Sequence, residues 1–479
     1  MTKIVLVNPP LKGEERYGTL ATGGVYMPPL GLASLAAFIR KQGHSVKIVD
    51  CCALNLTLTD SAKAILSCDP EVVGITAATV SISKAAALAK ILKEKNKNLR
   101  IIVGGSHISA LPEETMKAFP QLDIGVIGEG ELTTAELLNS FNNSECLDSI
   151  GGIIFRSNDS LKLNARRTFI EDLDSLPFPA WDLLPDLNKY YRPSCFGFKK
   201  LPVTSLITLR GCPMRCTFCS ETPFAKTCRM HSPRYVVDMM KLLKHQYNIK
   251  DFMIYDGTFG INQPRLVSLC NLIIKEKLNI VWSCNGRIDL MSPEILRLMK
   301  HAGCWLIAYG IESGSQRILD FLQKDINLPK ASQVLEWTKK EGILTKGYFM
   351  IGSPTEDEES INSTLSFALR NNLDVITVNY FTPLPGTLDY KRAALYGQFN
   401  NNWELLNHHN IVFIPSGLTA EIITSYRQKI VKKFYLRPKI IFRYIMLPFS
   451  PGSFKIIFLG IFAFVFFLFL GRKKDGPRK

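Results

Sequence analysis

The chain begins without an export signal. Residues 1–8 run straight into an apolar strand pattern, with no basic leader and no small-residue cleavage site. Secretion is therefore not expected, and the twelve cysteines are not read as a disulfide framework. Cys68, Cys146, Cys228, Cys270 and Cys304 stand singly and read as small buried hydrophobes. No G-x-G-x-x-G follows the first strand, so a dinucleotide is a poor fit. Charge is sparse as well, at 21% of residues against 46% hydrophobic, which is a globular rather than a disordered balance. The 479 residues leave room for two or three domains, each with its own core.

A net charge of +16 invites a nucleic-acid reading, but its placement weakens that reading. From Tyr426 onward there are thirteen Lys and Arg against the single Asp475, so twelve of the sixteen net charges sit in this tail. No nucleic-acid partner is expected. Residues 456–471 are sixteen in a row without a charge, followed at once by Arg472, Lys473 and Lys474. With Phe454 and a snorkelling Lys455 the run approaches the length of a spanning helix. Upstream, Lys432, Lys433, Arg437, Lys439 and Arg443 mix with Tyr435, Phe442 and Tyr444, a pattern suited to an anionic membrane surface. The expectation is a hydrophobic membrane helix at 454–471 behind a basic helical region at 401–453. The catalytic part would then face the cytoplasm, where thiols stay reduced.

The first 141 residues alternate strand-like and helix-like segments. Strands are expected at 3–8, 46–50, 72–76, 101–105 and 124–128, with helices at 32–42, 81–95, 112–119 and 132–141. This alternation predicts a doubly wound, Rossmann-like parallel sheet. Such sheets bind ligands at the C-terminal strand ends. The residues there are Asn8, Pro9 and Pro10, Thr76, Gly104-Gly105-Ser106-His107, and Gly128-Glu129-Gly130-Glu131. Paired glycines let backbone approach a large ligand closely.

Residues 142–198 read as a connector punctuated by Pro177, Pro179, Pro185 and Pro193. From 199 to about 400 the βα pattern restarts, with strands expected at 205–210, 251–255, 280–284, 305–311, 345–351 and 375–381. Six βα repeats predict a partial (β/α)6 barrel, since eight would close the standard form.

After the first of these strands comes Arg210-Gly211-Cys212-Pro213-Met214-Arg215-Cys216-Thr217-Phe218-Cys219. Three thiolates spaced C-x3-C-x2-C fit one iron–sulfur cluster and leave one iron of a four-iron cube open. Zinc would need a fourth ligand. His231 is the nearest candidate, and its spacing is not that of a finger. At the later strand ends stand Asp256, then Arg287 with Asp289, then Gly310-Ile311-Glu312-Ser313-Gly314. Asp256 reads equally as a turn or cap residue, and Arg287 as the partner of Asp289.

The cysteine motif after the first barrel strand, with Phe218 just before the third cysteine, resembles radical S-adenosylmethionine (SAM) enzymes. The first domain resembles the cobalamin-binding domain of one large subclass, through Asn8-Pro9-Pro10, Pro29-Leu30-Gly31-Leu32, Gly43-His44, Gly104–His107 and Gly128–Glu131. That subclass includes radical SAM methylases and anaerobic magnesium-protoporphyrin ester cyclases. The resemblance implies cobalamin, SAM and a [4Fe–4S] cluster on Cys212, Cys216 and Cys219. It implies SAM contacts from Phe218, Asp256, Arg287, Glu312 and Ser313. Cobalamin contacts are implied at Asn8, Pro9, Thr76, Gly104, Gly105, His107, Gly128, Glu129, Gly130 and Glu131.

The chain departs from other cobalamin proteins in having no D-x-H-x-x-G after its first strand. His44 and His107 are the domain's histidines, and His107 sits at a strand end. The implied activity is cleavage of SAM to a 5′-deoxyadenosyl radical and methylation of an unactivated carbon, with a reductant such as flavodoxin or ferredoxin. The tail adds the expectation of a lipid-like or other small-molecule substrate. Radical ring closure is the alternative reaction. Methylthiotransferases share the plan but carry three further cysteines, and Cys51, Cys52 and Cys68 lack suitable spacing. A cobalamin-sensing membrane protein would need no cluster, so the three cysteines count against it.

Overall fold

Five Val- and Ile-rich segments set up the first sheet: β1 (Lys3–Asn8), β2 (Ser45–Asp50), β3 (Val72–Thr76), β4 (Arg100–Gly104) and β5 (Ile124–Val126). They pair in parallel in the order β2-β1-β3-β4-β5. Most of their residues are buried, as strands with helices on both faces must be. Helices Leu30–Lys41, Leu58–Leu66 and Ile82–Lys95 connect β1 to β2, β2 to β3 and β3 to β4, and helix Gly130–Asn143 follows β5. The chain order reverses between β1 and β3, and the crevice at that switch point is where an open α/β sheet takes its ligand. The sheet does not stop at residue 141. β6 (Ile153–Ser157) and β7 (Ser160–Leu163) extend it antiparallel beyond β5, out of a stretch that reads as connector. A computed structural model describes every residue except 18–24, 144–145, 158–159, 194–196, 221–223, 225 and 446–479.

The second sheet has six parallel strands in consecutive neighbourhood: β8 (Val203–Leu206), β11 (Asp251–Phe259), β12 (Val281–Gly286), β13 (Cys304–Glu312), β14 (Leu344–Ile351) and β15 (Val375–Tyr380). It is an open half-barrel. Its helices begin on polar caps: Ser232, Asn262, Ser292, Asn327 and Asp357 each accept from a backbone N–H three residues on. The expected strand 205–210 is broken in two. After β8 the chain turns away, and β9 (Leu209–Arg210) pairs antiparallel with β10 (Arg229–Met230). Asp256 on β11 causes the break. Its Oδ1 accepts from the Thr208 and Leu209 amides at 2.6 and 3.2 Å, and its Oδ2 accepts from the Thr208 hydroxyl at 2.5 Å. A side chain thus replaces the ladder partners those residues would have had.

The open side of β15 is covered by helix Ala420–Tyr435. The Tyr435 hydroxyl lies 3.1 Å from the Ile376 amide, which donates to it, and 2.7 Å from the Ile376 carbonyl, which accepts from it. Arg427 Nε donates to the Val378 carbonyl at 2.9 Å. Arg437 caps the Phe434 and Leu369 carbonyls. Arg427, Phe434, Tyr435 and Arg437 therefore serve the barrel, while Lys429 and Lys433 are exposed. Phe434 and Tyr435 are buried against it and are not available to a membrane surface.

The membrane expectation is corrected accordingly. Among the described residues no helix is long and apolar enough to cross a membrane. Helix Ala420–Tyr435 has 16 residues and carries Arg427, Lys429, Lys432 and Lys433. The segment 454–471 lies outside the described residues. A membrane helix, a membrane partner and membrane localisation are accordingly withdrawn.

At the end of β14 the Glu356 carboxylate accepts from the Gly352 and Ser353 amides while its other oxygen is buried without a partner. Burial pushes this carboxyl up to about 8. The folded chain then holds a proton that the unfolded chain releases at ordinary carboxylate pH. The stability so gained is complete in acid and is lost as pH rises through about 8. Relative to wild type, Glu356→Gln is expected to gain melting temperature between about pH 6 and about pH 8, by at most ~1.4 kcal/mol of stability per pH unit. Scanning calorimetry across that range checks this, and a constant difference would refute it.

Candidate cluster and cobalamin site

The cysteine segment leaves the half-barrel through Gly211, whose φ of +88° is open to glycine at little cost. A Cβ there would run into the Thr227 carbonyl. Cys212 is buried, with Sγ 2.6 Å from the Thr258 hydroxyl on β11. Cys216 is half-buried and Cys219 is exposed. Between the last two of them Thr217 fastens the segment to the end of helix Gln316–Phe321 and to helix Leu388–Arg392. Its amide donates to the Leu322 carbonyl at 3.0 Å, and its hydroxyl donates to Asp389 Oδ2 at 2.9 Å. Burial pushes the Cys216 thiol up, against the pull of the nearby Lys324 and Arg287 cations. Among the described residues no three His, Cys, Asp or Glu side chains are grouped tightly enough to hold a single metal ion. Cys212 and Cys216 lie close to the Arg287 cation and Cys216 to Lys324 as well, a setting that suits an anionic iron–sulfur cluster.

Phe218, Arg287 and Glu312 are brought together around Lys324. Lys324 Nζ lies 2.9 Å from Glu312 Oε1 and over the Phe218 ring, 5.6 Å from its centroid. Arg287 Nη2 donates to the Lys324 carbonyl at 3.2 Å, while its Nε pairs with Asp289 at 2.9 Å. Glu312 is buried in the left-handed region at φ +69°, a strained conformation for a side chain of that size. Burial works to lower the Lys324 ammonium, but Glu312 and Cys216 hold it above its usual range. Asp256 and Ser313 are engaged elsewhere. Asp256 holds Thr208, with burial pushing its carboxyl up to about 6. Ser313 meets the Thr364 hydroxyl at 3.2 Å and accepts from the Ser315 amide. Lys324 and Thr258 carry no sequence motif, and Thr217 is one of the unspecified positions of C-x3-C-x2-C.

At the β1/β3 switch point lies a mostly apolar cavity of about 320 Å³. Thr76, Gly104, Gly105, Gly128, Glu129, Gly130 and Glu131 all line it. Gly105 has φ +106°, and a Cβ there would stand 2.6 Å from the Ala77 carbonyl oxygen. Gly104 faces open space. Asn8, Pro9 and His107 do not line the cavity. Asn8 donates to Asp50 at 2.8 Å, and Pro9 accepts from the Cys52 thiol at 3.0 Å. His107 is buried between the Thr79 hydroxyl at 3.2 Å and the edge of Trp403, ring centroids 4.5 Å apart. Burial pushes its imidazole down to about 4, so it is neutral.

The half-barrel closes the cavity from the other side, through Leu209, Arg210, His231 and Tyr235. His231 stacks on Tyr235 at 4.0 Å and sets Nδ1 3.2 Å from Asp174, and burial pushes it down to about 4. Arg210 meets Glu129 Oε1 at 2.7 Å and Glu131 Oε1 at 2.5 Å. Arg229 meets both oxygens of Glu129 at 3.0 and 2.9 Å. Cavity and cysteine segment thus share a wall.

The B12 binding domain family matches residues 18–138, and the Radical SAM superfamily matches residues 206–368. The chain belongs to the cobalamin-dependent radical SAM enzymes, the family of methyltransferases and cyclases whose cofactors are cobalamin, SAM and a [4Fe–4S] cluster. It is 36% identical over 447 residues to the uncharacterized methyltransferase PH0819 of Pyrococcus horikoshii, covering 92% of this chain and 94% of that one. It is 28% identical to the anaerobic magnesium-protoporphyrin IX monomethyl ester cyclase of Rubrivivax gelatinosus, over 86% of this chain and 75% of that one. Among solved structures, OxsB with aqua-cobalamin and SAM bound superposes with a TM-score of 0.74 at 17% identity, over 93% of this chain and 70% of that one. The methyltransferase TsrM of Kitasatospora setae, with cobalamin and [4Fe–4S] cluster bound, gives 0.67 at 18%, over 90% and 85%.

Gly211→Ala is expected to leave the fold intact and to displace the cysteine segment. After anaerobic reconstitution, iron retained per chain should fall by more than half while the far-ultraviolet circular dichroism is unchanged. Full iron loading of the variant would show that the close passage at Thr227 does not matter.

Proposed function

We propose that this enzyme transfers a methyl group from SAM to an unactivated carbon of a small molecule. One observation carries the reading: Arg210, two residues before Cys212, lines the cavity that opens at the glycine-paired strand ends of the cobalamin-binding domain. The two cofactor regions are therefore adjacent. When bound, the cluster supplies the electron that cleaves SAM, and cobalamin supplies the carrier for the methyl group.

Cys212, Cys216 and Cys219 would hold the cluster. Thr217 and Thr258 fix two of the three cysteines in place. Glu312 presents a buried carboxylate suited to the α-amino group of SAM, and Arg287 and Lys324 present cations suited to its carboxylate. Phe218 walls that site off from water. Asp256 and Ser313 act at one remove, by setting the backbone on which these groups stand. Thr76, the paired glycines and residues 128–131 would receive cobalamin; neither His44 nor His107 of the first domain lines that cavity. A one-electron reductant of the flavodoxin or ferredoxin kind would supply the cluster. The lipid-like substrate rested on the membrane tail and falls with it.

The likeness to the Rubrivivax gelatinosus cyclase favours ring closure as the second reading. The two readings differ in what becomes of SAM. Methyl transfer leaves S-adenosylhomocysteine as well as 5′-deoxyadenosine, and ring closure leaves 5′-deoxyadenosine alone. Anaerobically reconstituted protein is expected to hold about four irons and one cobalamin per chain and to form both products under reduction. Cys216→Ala should lower 5′-deoxyadenosine at least ~100-fold, a loss of about 2.7 kcal/mol in transition-state stabilisation. Absence of cobalamin, or of S-adenosylhomocysteine, would overturn the methyl-transfer reading while leaving SAM cleavage in place.

A further inference from the structure

The Glu129 carboxylate holds both ends of the cysteine segment. That segment opens at Arg210 and closes at Arg229, and these two residues face each other across the β9–β10 pair. Glu129 Oε1 receives Arg210 at 2.7 Å and Arg229 at 3.0 Å, and its Oε2 receives Arg229 at 2.9 Å. Glu129 Oε2 also accepts from the Ile170 amide at 2.9 Å, and the Ile170 carbonyl accepts from Arg229 at 2.7 Å. Glu131 adds the second grip on Arg210. The Arg229 guanidinium is covered by the Phe169 ring at 4.6 Å, and its Nε and Nη2 are buried without a hydrogen-bond partner.

All four charged side chains are buried or nearly so: 5% and 7% exposed for the two glutamates, 8% and 13% for the two arginines. Burial works to raise the Glu129 carboxyl, but Arg229 and Arg210 together hold it below the usual range. In so dry a setting, releasing any one partner strands a charge, so the group forms or opens as a unit. Glu129, Glu131 and Arg210 also line the cavity assigned to cobalamin, at the start of helix Gly130–Asn143.

We propose that Glu129 is a positioning residue that couples the cobalamin cavity to the cluster-bearing segment, so that filling either site tightens the other. The proposal rests on the assignment of that cavity to cobalamin. A ligand seated against residues 128–131 binds the arrangement in which Arg210 and Arg229 are drawn together. A cluster on the cysteines fixes the same two arginines from the opposite side. Linkage makes the effect reciprocal.

The test is titration of hydroxocobalamin, followed by its visible spectrum, into full-length protein with and without the reconstituted cluster. Cluster loading is expected to tighten cobalamin binding about 5-fold or more. In Glu129→Gln the ratio of the two affinities should fall toward one, and in Glu131→Gln, which loses only the second grip on Arg210, it should fall partway. Glu136→Gln removes an ion pair with Arg167 from the same helix and should leave the ratio as in wild type. Equal affinities in wild type overturn the coupling without needing any variant to fold. A ratio that survives in Glu129→Gln overturns the role of that residue. Cobalamin bound by neither form would overturn the cavity assignment and the coupling together, whereas tight but uncoupled binding overturns the coupling alone.

Discussion

The hold of Asp256 on Thr208 and Leu209 governs where everything else can lie. Without it the first half-barrel strand would continue along β11, and the cysteines would follow the sheet. With it the backbone is turned out at Thr208 and carried as β9 toward the first domain. A buried carboxylate satisfied by two amides and a hydroxyl is a stable fixture, because each polar group has its partner and none is left dry. Arg210 then reaches the wall of the cavity, Gly211 makes the tight passage, and Cys212 is placed beside Thr258.

Two groups of buried charges stand beside the cavity and the cysteines. One is the glutamate–arginine cluster between the two sheets. The other is Lys324 with Glu312 and Arg287 behind the cysteines. Each places cations beside a proposed site, the cobalamin cavity in one case and the cysteines in the other. Buried ion pairs seldom add net stability over apolar residues of the same volume. Their placement here accords with keeping charge fixed where reorganising water would otherwise have to supply it.

Much of this was legible in the sequence because it is local. Strand ends announce themselves by paired glycines and by the change of hydrophobic period, and three cysteines within eight residues need no tertiary information. Seven of the ten residues expected to face cobalamin line the cavity. Asn8, Pro9 and His107 do not, because Asp50, Cys52 and Trp403 meet them, and sequence separation hides such partners. The same limit concealed Lys324, Thr217 and the arginine grip on Glu129, whose contacts span from twelve residues for Lys324 with Glu312 to well over a hundred for Thr217 with Asp389. It also misdirected the reading of 426–437, where Arg427, Tyr435 and Arg437, part of a basic and aromatic pattern suited to a bilayer surface, bond carbonyls of the half-barrel and the helix laid on it.

The helix laid along β15 has a consequence for how the chain can be divided. An open half-barrel has two rims, and a strand at a rim carries a row of amides and carbonyls able to recruit another chain. Tyr435 and Arg427 occupy that row on β15 at Ile376 and Val378. Cut away before Tyr435, the rim would become a template for pairing between molecules. Residues 420–435 thus take up the backbone groups of that rim, and any piece that keeps the rim covered has to run past the last strand to include them.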